Sequence, residues 1–221
     1  EDCRPYFSGS SCFVTGTPVR KNLGHPIPRE EALKVFNLDP SRTTLLVTGG
    51  SQGASGINQL LFKTAPLLPT ENLQIIHLTG KNDDRLAAAN YQRDHIPHYV
   101  APFHHRMEEA YSAADLVVSR AGASSLSELA MFGLPSILIP YPYATDDHQK
   151  ANAEIFVRAG AAELINEREI QPEVFSSALS KWLGNPERRS AMAAAARQLS
   201  PEAAAANVAD VMERAVTEGM K

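Results

Sequence analysis

The sequence has little cysteine, no excess of basic charge and no long apolar run, and each absence removes a class of function. Its 221 residues hold two cysteines, Cys3 and Cys12, too few to staple a secreted scaffold and without CxxC spacing. A reducing compartment is expected. Lys and Arg number 21 against 25 Asp and Glu, a net charge of −4, so the clustered basic charge that displaces counterions from nucleic acid is missing. No apolar stretch approaches the roughly 18–20 residues that span a bilayer, so no transmembrane segment is expected. The opening Glu1-Asp2-Cys3-Arg4-Pro5 has neither an initiator Met nor an apolar signal region, and the chain is expected to begin inside a longer protein. Internal repeats, charge runs and Gly/Ser linkers are absent too. What is present is an ordinary apolar content of 43%, enough for a real core and too much for a disordered chain.

Short β-rich runs alternate with helical stretches along the chain. Strands are predicted at 12–15, 43–48, 73–78, 98–101, 116–119, 136–139 and 162–165. Helices are predicted at 28–38, 54–68, 84–91, 107–113, 125–132 and 149–159, then at 172–183, 186–198 and 201–216, the last three with Pro at the start. Strands separated by helices of about ten residues imply right-handed βαβ units. Their near-continuous apolar character implies burial on both faces. The expected fold is therefore α/β: one doubly wound, Rossmann-like domain with a mostly parallel sheet of about six strands. Residues 1–15 read as a connector, 16–200 as the domain and 201–221 as a C-terminal helix.

In such a sheet ligands bind beyond the carboxyl ends of the strands, so the loops that follow the apolar runs carry the information. The first is Gly49-Gly50-Ser51-Gln52-Gly53-Ala54. Its glycines would let backbone N–H groups approach an anion at a helix start. It fits neither GxGxxG nor GxxxxGK[ST], and a tight turn with Ser51 as a cap is the competing reading.

The second loop, Arg120-Ala121-Gly122-Ala123-Ser124-Ser125-Leu126-Ser127-Glu128, combines small residues with hydroxyl donors beside a helix start. Ser125 and Glu128 have capping-box spacing, which would turn Glu128 back onto the Ser125 backbone. The alternative has Glu128 accepting hydrogen bonds from a diol such as a ribose. Local spacing favours the cap.

The third loop, 141–149, leads from a strand to a helix that carries His148, Gln149 and Asn152. Asp146, Asp147 and His148 are adjacent, and adjacent side chains do not generally converge on one ion, so no metal site is expected. These residues either cap the helix through Asp146 or Asp147, or offer His148, Gln149 and Asn152 to sugar hydroxyls, or do both. His104-His105, at the end of another strand, read as solvated. Asp83-Asp84 read as a helix start. No Gly-x-Ser-x-Gly elbow is present.

Taken in order, Gly16-Thr17-Pro18-Val19-Arg20, Gly49–Ala54 (GGSQGA), 114–123 (ADLVVSRAGA), Ser127-Glu128-Leu129-Ala130, 133–140 (GLPSILIP), Asp147-His148-Gln149, Asn152-Ala153 and 159–162 (AGAA) resemble the C-terminal half of MurG-type N-acetylglucosaminyltransferases. The resemblance covers about residues 16–165. It implies a GT-B glycosyltransferase of family 28 in which this half binds the donor UDP-GlcNAc.

Carried over residue by residue, the resemblance implies that Arg20 and Ser51, within Gly50–Gly53 and beside Gln52, contact the donor near its diphosphate. The backbone around His104 would read uracil. Gly122, Ala123, Ser124, Ser125, Leu126, Ser127 and Glu128 would form the phosphate- and ribose-binding helix start. Gln149, with His148 and Asn152, would hold the GlcNAc hydroxyls. Thr17 stands where the family usually has Asn, and Ser124-Ser125 where Leu-Thr is commoner.

The implied reaction is metal-independent, cofactor-free inverting transfer of GlcNAc to lipid I, forming lipid II for peptidoglycan and so serving cell-wall synthesis, shape and division. Its partners would be UDP-GlcNAc and, through a missing N-terminal domain that supplies the catalytic base, lipid I. The full enzyme would be a peripheral protein on the cytoplasmic face of the bacterial inner membrane. This chain alone is expected to bind donor without useful transfer. Alternatives are a separate nucleotide-sugar-binding subunit, a sensor, or an NAD-binding protein.

Overall fold

The computed structural model describes residues 12–20, 23, 25–50, 53–168, 170–200 and 203–217. Six strands form one sheet: β1 (Thr43–Thr48), β2 (Leu73–Leu78), β3 (His98–Ala101), β4 (Leu116–Ser119), β5 (Ser136–Leu138) and β6 (Ala162–Leu164). Their spatial order is β3-β2-β1-β4-β5-β6, and every pairing is parallel. Chain order reverses between β1 and β4, whose register sets Leu45 beside Leu116 and Thr48 beside Ser119. That reversal opens a crevice beyond the carboxyl ends of the two strands.

Side chains alternate along each strand and bury into two separate cores. Leu46, Ile76, Val117 and Leu138 face one layer; Leu45, Ile75, Val118 and Ile137 face the other. The first layer is covered by α1 (Arg29–Val35), α4 (Met107–Ala113), α5 (Ala123–Phe132), α6 (His148–Arg158) and α8 (Pro186–Gln198). The second is covered by α2 (Ser55–Thr64), α3 (Asp84–Arg93) and α7 (Pro172–Leu183). Phe175, Leu179 and Leu183 of α7 lie in this second core, and Met192 and Ala196 of α8 are also buried. The C-terminal helices therefore complete the sandwich around the sheet.

Pro172 and Pro186 occupy the first turns of their helices, as expected of residues without an N–H. Asn185 caps α8 by accepting from the Arg188 N–H at 2.9 Å. The last helix, α9 (Ala204–Thr217), is tethered near its start, where Asn207 Nδ2 donates to Thr15 O at 3.3 Å. Among the described residues, no helix is long and apolar enough to cross a membrane.

One expected strand is overturned. Residues 12–15 carry no strand; Phe13 and Val14 are exposed, and no neighbouring strand pairs with them. An aromatic and a β-branched residue without a ladder partner have nothing to hold them extended. The expected connector at 1–15 lies outside the described residues up to position 11, as does the expected helix start at Pro201.

Candidate functional site

A hollow of about 260 Å³ lies in the crevice between β1 and β4. Thr48 and Gly50 close one side, and Leu78 and Phe103 come from the ends of the next two strands. Met107 and Tyr111 of α4 form the floor, and Ser124, Ser125 and Glu128 of α5 face them, with Arg20 at the mouth.

The loop after β1 is shaped by its glycines. Gly50 and Gly53 both have φ near +80°, at 81° and 74°, and the Gly53 N–H donates to Gly50 O at 3.1 Å. A Cβ on Gly53 would run into the carbonyl of Thr79, so the turn presses on the end of β2. Ser51 and Gln52 lie outside the described residues.

Glu128 is the polar centre of the hollow. Its Oε1 accepts from Arg20 Nε at 3.1 Å and lies 3.0 Å from Arg20 Nη2, while Oε2 accepts from the Tyr111 hydroxyl at 2.7 Å. Glu128 is buried, whereas the Arg20 side chain is half exposed. Burial, reinforced by the Glu128 carboxylate, pushes the Tyr111 phenol well above its ordinary value, so it stays a donor. Each carboxylate oxygen has capacity for a further donor, which is the chemistry a diol requires.

The capping-box reading of Ser125 and Glu128 is therefore overturned. The N-cap is Gly122, three residues before the Ser125 that the spacing suggests, and it makes no side-chain cap bond. Ser125 is already inside the first turn, so Glu128 has no cap to complete and turns to Arg20 instead. The first ladder bond runs from Leu126 N–H to Gly122 O at 3.0 Å. The N–H groups of Ala123, Ser124 and Ser125 precede that ladder, at the positive end of a helix with no acid in its first turn. A phosphate is the natural ligand for such an end.

The remaining expected residues lie along the same rim but outside this hollow. Ala123, Leu126, Ser127 and Asn152 line a neighbouring hollow of about 240 Å³ together with Gly16 and Thr17. The opening turn of α5 thus stands between two concavities. Gln149 Oε1 accepts from the Tyr141 N–H at 3.0 Å and from the Ala121 N–H at 3.3 Å, and Asn152 Nδ2 donates to Ala121 O at 3.2 Å. These two side chains bind α6 to the loops after β4 and β5.

His148 Nδ1 donates to Thr145 O at 2.8 Å, which leaves Nε2 as the acceptor of the neutral ring. Asp146 and Asp147 are in left-handed backbone conformations, and Asp147 makes no side-chain cap bond, so the expected capping of α6 by Asp147 is overturned. His104 is not solvated as expected: it is packed beside Phe36 and Tyr99, with Nε2 2.9 Å from Glu109 Oε2. Its neighbour Phe103 is the residue that reaches the hollow.

Sequence reasoning missed Thr48, Leu78, Phe103, Met107 and Tyr111 as lining residues. Tyr111 carried one legible signal, a hydroxyl within an otherwise apolar helical face, since a buried phenol needs a partner.

A family model described as the glycosyltransferase family 28 C-terminal domain matches residues 44–214. The chain is 45% identical over 186 residues to the UDP-N-acetylglucosamine–N-acetylmuramyl-(pentapeptide) pyrophosphoryl-undecaprenol N-acetylglucosamine transferase of Thermodesulfovibrio yellowstonii, covering 82% of this chain and 50% of that protein. The protein of the same description from Pseudomonas fluorescens Pf-5 is 41% identical over 199 residues, covering 90% and 54%. A crystal structure of Acinetobacter baumannii MurG aligns with a TM-score of 0.75 at 32% identity, covering 89% of this chain and 55% of that one. The chain spans about half the length of the curated relatives it matches.

Proposed function

This chain belongs to glycosyltransferase family 28, as its C-terminal domain, and from that premise we propose that it binds UDP-GlcNAc for an inverting transfer of GlcNAc to lipid I. The observation that carries the reading is the meeting of Arg20, Glu128 and the open first turn of α5 in one hollow at the switch point of the sheet.

In this reading the uridine enters between Phe103 and Met107, and its ribose hydroxyls donate to Glu128, whose oxygens Arg20 and Tyr111 hold in place. The diphosphate lies on the N–H groups of Ala123–Ser125, and Ser51 and Gln52 of the glycine loop are its further assigned contacts. The sugar extends toward the start of α6, where Gln149, His148 and Asn152 stand. As the bond from the anomeric carbon to the diphosphate breaks, negative charge grows on the leaving oxygen. Oriented backbone dipoles stabilise that charge without reorganising, and the Arg20 guanidinium adds to them.

The attacking group is the 4-hydroxyl of the MurNAc residue of lipid I, giving a β-1,4 link and lipid II. We assign the base that takes its proton, and the surface that docks on the cytoplasmic face of the membrane, to a domain other than this one. This chain by itself is a donor-binding unit.

Calorimetry with UDP, UDP-GlcNAc and NAD tests the donor assignment: binding of the first two and not the third is expected, and binding of NAD alone overturns it. Incubation with UDP-GlcNAc and a soluble lipid I analogue tests the division of labour. No useful turnover is expected from this chain, and robust lipid II formation would refute that part.

A further inference from the structure

A third concavity, of about 380 Å³, opens at the opposite edge of the sheet. Asp115 and Pro135 line it, and each stands one residue before a strand, so it lies at the amino ends of β4 and β5. Arg29 of α1 and Arg189 and Arg197 of α8 also line it. Three guanidinium groups thus face one carboxylate, and that carboxylate is committed. Asp115 Oδ2 accepts from Arg29 Nη2 at 2.8 Å and from the Thr44 N–H at 2.8 Å.

Arg29 is paired with Asp115, whereas Arg189 is held by contacts that carry no charge. Arg189 Nη1 donates to Trp182 O and Leu183 O at 2.7 and 2.6 Å, which pins the guanidinium at the end of α7 on neutral carbonyls. Burial lowers its pKa below the ordinary arginine value, as for a cation drawn partly out of water. Arg29 Nε is buried without a hydrogen-bond partner, and a buried donor left unmade costs free energy that a bound acceptor would recover. Arg197 extends from the last turn of α8 and lies over Gly133 at the rim.

We propose that this arginine-lined hollow is a phosphate-binding site separate from the nucleotide hollow. Guanidinium forks match phosphate oxygens in pairs, and several of them around one concavity favour a multiply charged oxyanion over a carboxylate. Pro186, at the first turn of α8, lines the same hollow. Ile27, Phe132 and Leu134 give it an apolar wall, so the ligand is a phosphate ester carrying apolar bulk. Such an ester is either a small metabolite or a lipid headgroup.

The test uses this chain with its nucleotide hollow saturated by UDP. Inorganic phosphate is titrated by calorimetry, and binding to phosphatidylglycerol vesicles is followed by co-sedimentation. Arg197→Gln, at an exposed position, and Ser190→Asp, which adds a carboxylate at the exposed lip, serve as variants, with unchanged UDP affinity as the control for folding. Phosphate binding weakened at least about tenfold in both variants supports the site with a soluble ester as its ligand. Vesicle binding weakened in both, without binding of free phosphate, supports it with a headgroup. No binding of either probe, or binding that neither variant alters, overturns it.

Discussion

Arg20 and Glu128 lie 108 residues apart in the chain and meet across the mouth of the hollow, with Arg20 Nε and Nη2 both about 3 Å from Glu128 Oε1. The segment before the sheet is thereby tied to the helix that opens at its switch point. Because Glu128 is buried and Arg20 half exposed, the carboxylate is the fixed member and the guanidinium the movable one. A diphosphate can recruit Arg20 while Glu128 keeps Tyr111.

Glu128→Gln should weaken UDP about tenfold, since the charge that orients Arg20 and accepts from a diol is lost. The melting temperature should move by no more than a few degrees, because Gly122, not Ser125, opens α5 and no cap depends on Glu128. Calorimetry and thermal denaturation on the same preparation separate the two effects. A large fall in melting temperature with intact UDP affinity would make Glu128 a structural residue only.

Gln149 anchors two loops through its Oε1, so replacing it with Ala confuses a sugar contact with a loop defect. Gln149→Glu keeps an oxygen for the Ala121 and Tyr141 N–H groups, removes the amide donors and adds a negative charge that acts on UDP and UDP-GlcNAc alike. UDP-GlcNAc affinity should fall further than UDP affinity. Equal losses for both ligands would take Gln149 out of the sugar pocket.

Gly53→Ala should destabilise the fold by about 2 kcal/mol or more, since the position combines a left-handed backbone with a carbonyl where the methyl must go. Gly50→Ala shares the positive φ but meets open space, so its cost should be about 1 kcal/mol. Urea midpoints at constant slope measure both, and the order Gly53 above Gly50 is the expected result.

His77 should make stability fall in acid. It is fully buried on β2, with Nδ1 2.8 Å from the Tyr91 hydroxyl and Nε2 3.0 Å from Asn58 Oδ1. Asn58 Nδ2 donates to Thr79 O and Asp83, so Asn58 Oδ1 accepts, and His77 is neutral with its proton on Nε2. Burial drives its pKa from 6.5 down to about 3. The folded value is below the unfolded one, so this contribution is complete above pH 6.5 and is lost as pH falls from there toward 3. The slope in that window is about 1.4 kcal/mol per pH unit. Urea denaturation between pH 7 and 4 should show it, and His77→Gln should flatten that part of the profile.

Much of the architecture was legible because it rests on local pattern. Thr43–Thr48, Leu73–Leu78, His98–Ala101 and Leu116–Ser119 are strands within the bounds their β-branched and apolar runs suggest. Met107–Ala113, Pro172–Leu183 and Pro186–Gln198 likewise keep their predicted limits as helices. The failures occur where a residue's role depends on a distant partner. Phe13 and Val14 have strand character and no strand to pair with. Ser125 and Glu128 have the spacing of a cap, but the helix starts at Ala123, with Gly122 at its N-cap.

Short β-branched and apolar runs and helical hydrophobic patterns, with Pro at helix starts, determined the layered α/β fold and named the loops that carry chemistry, since those signals act over a few residues. The order of motifs along the chain determined the family. Only the tertiary structure decided what each polar side chain does within the rim. It turned Glu128 from a cap toward Arg20 and Tyr111, placed Gln149 on two backbone amides, and gathered Arg29, Arg189 and Arg197 at the far edge. Hydrogen bonds and charges at a few ångströms depend on which elements the sheet brings side by side, and the parallel crossovers join segments that sequence distance keeps far apart.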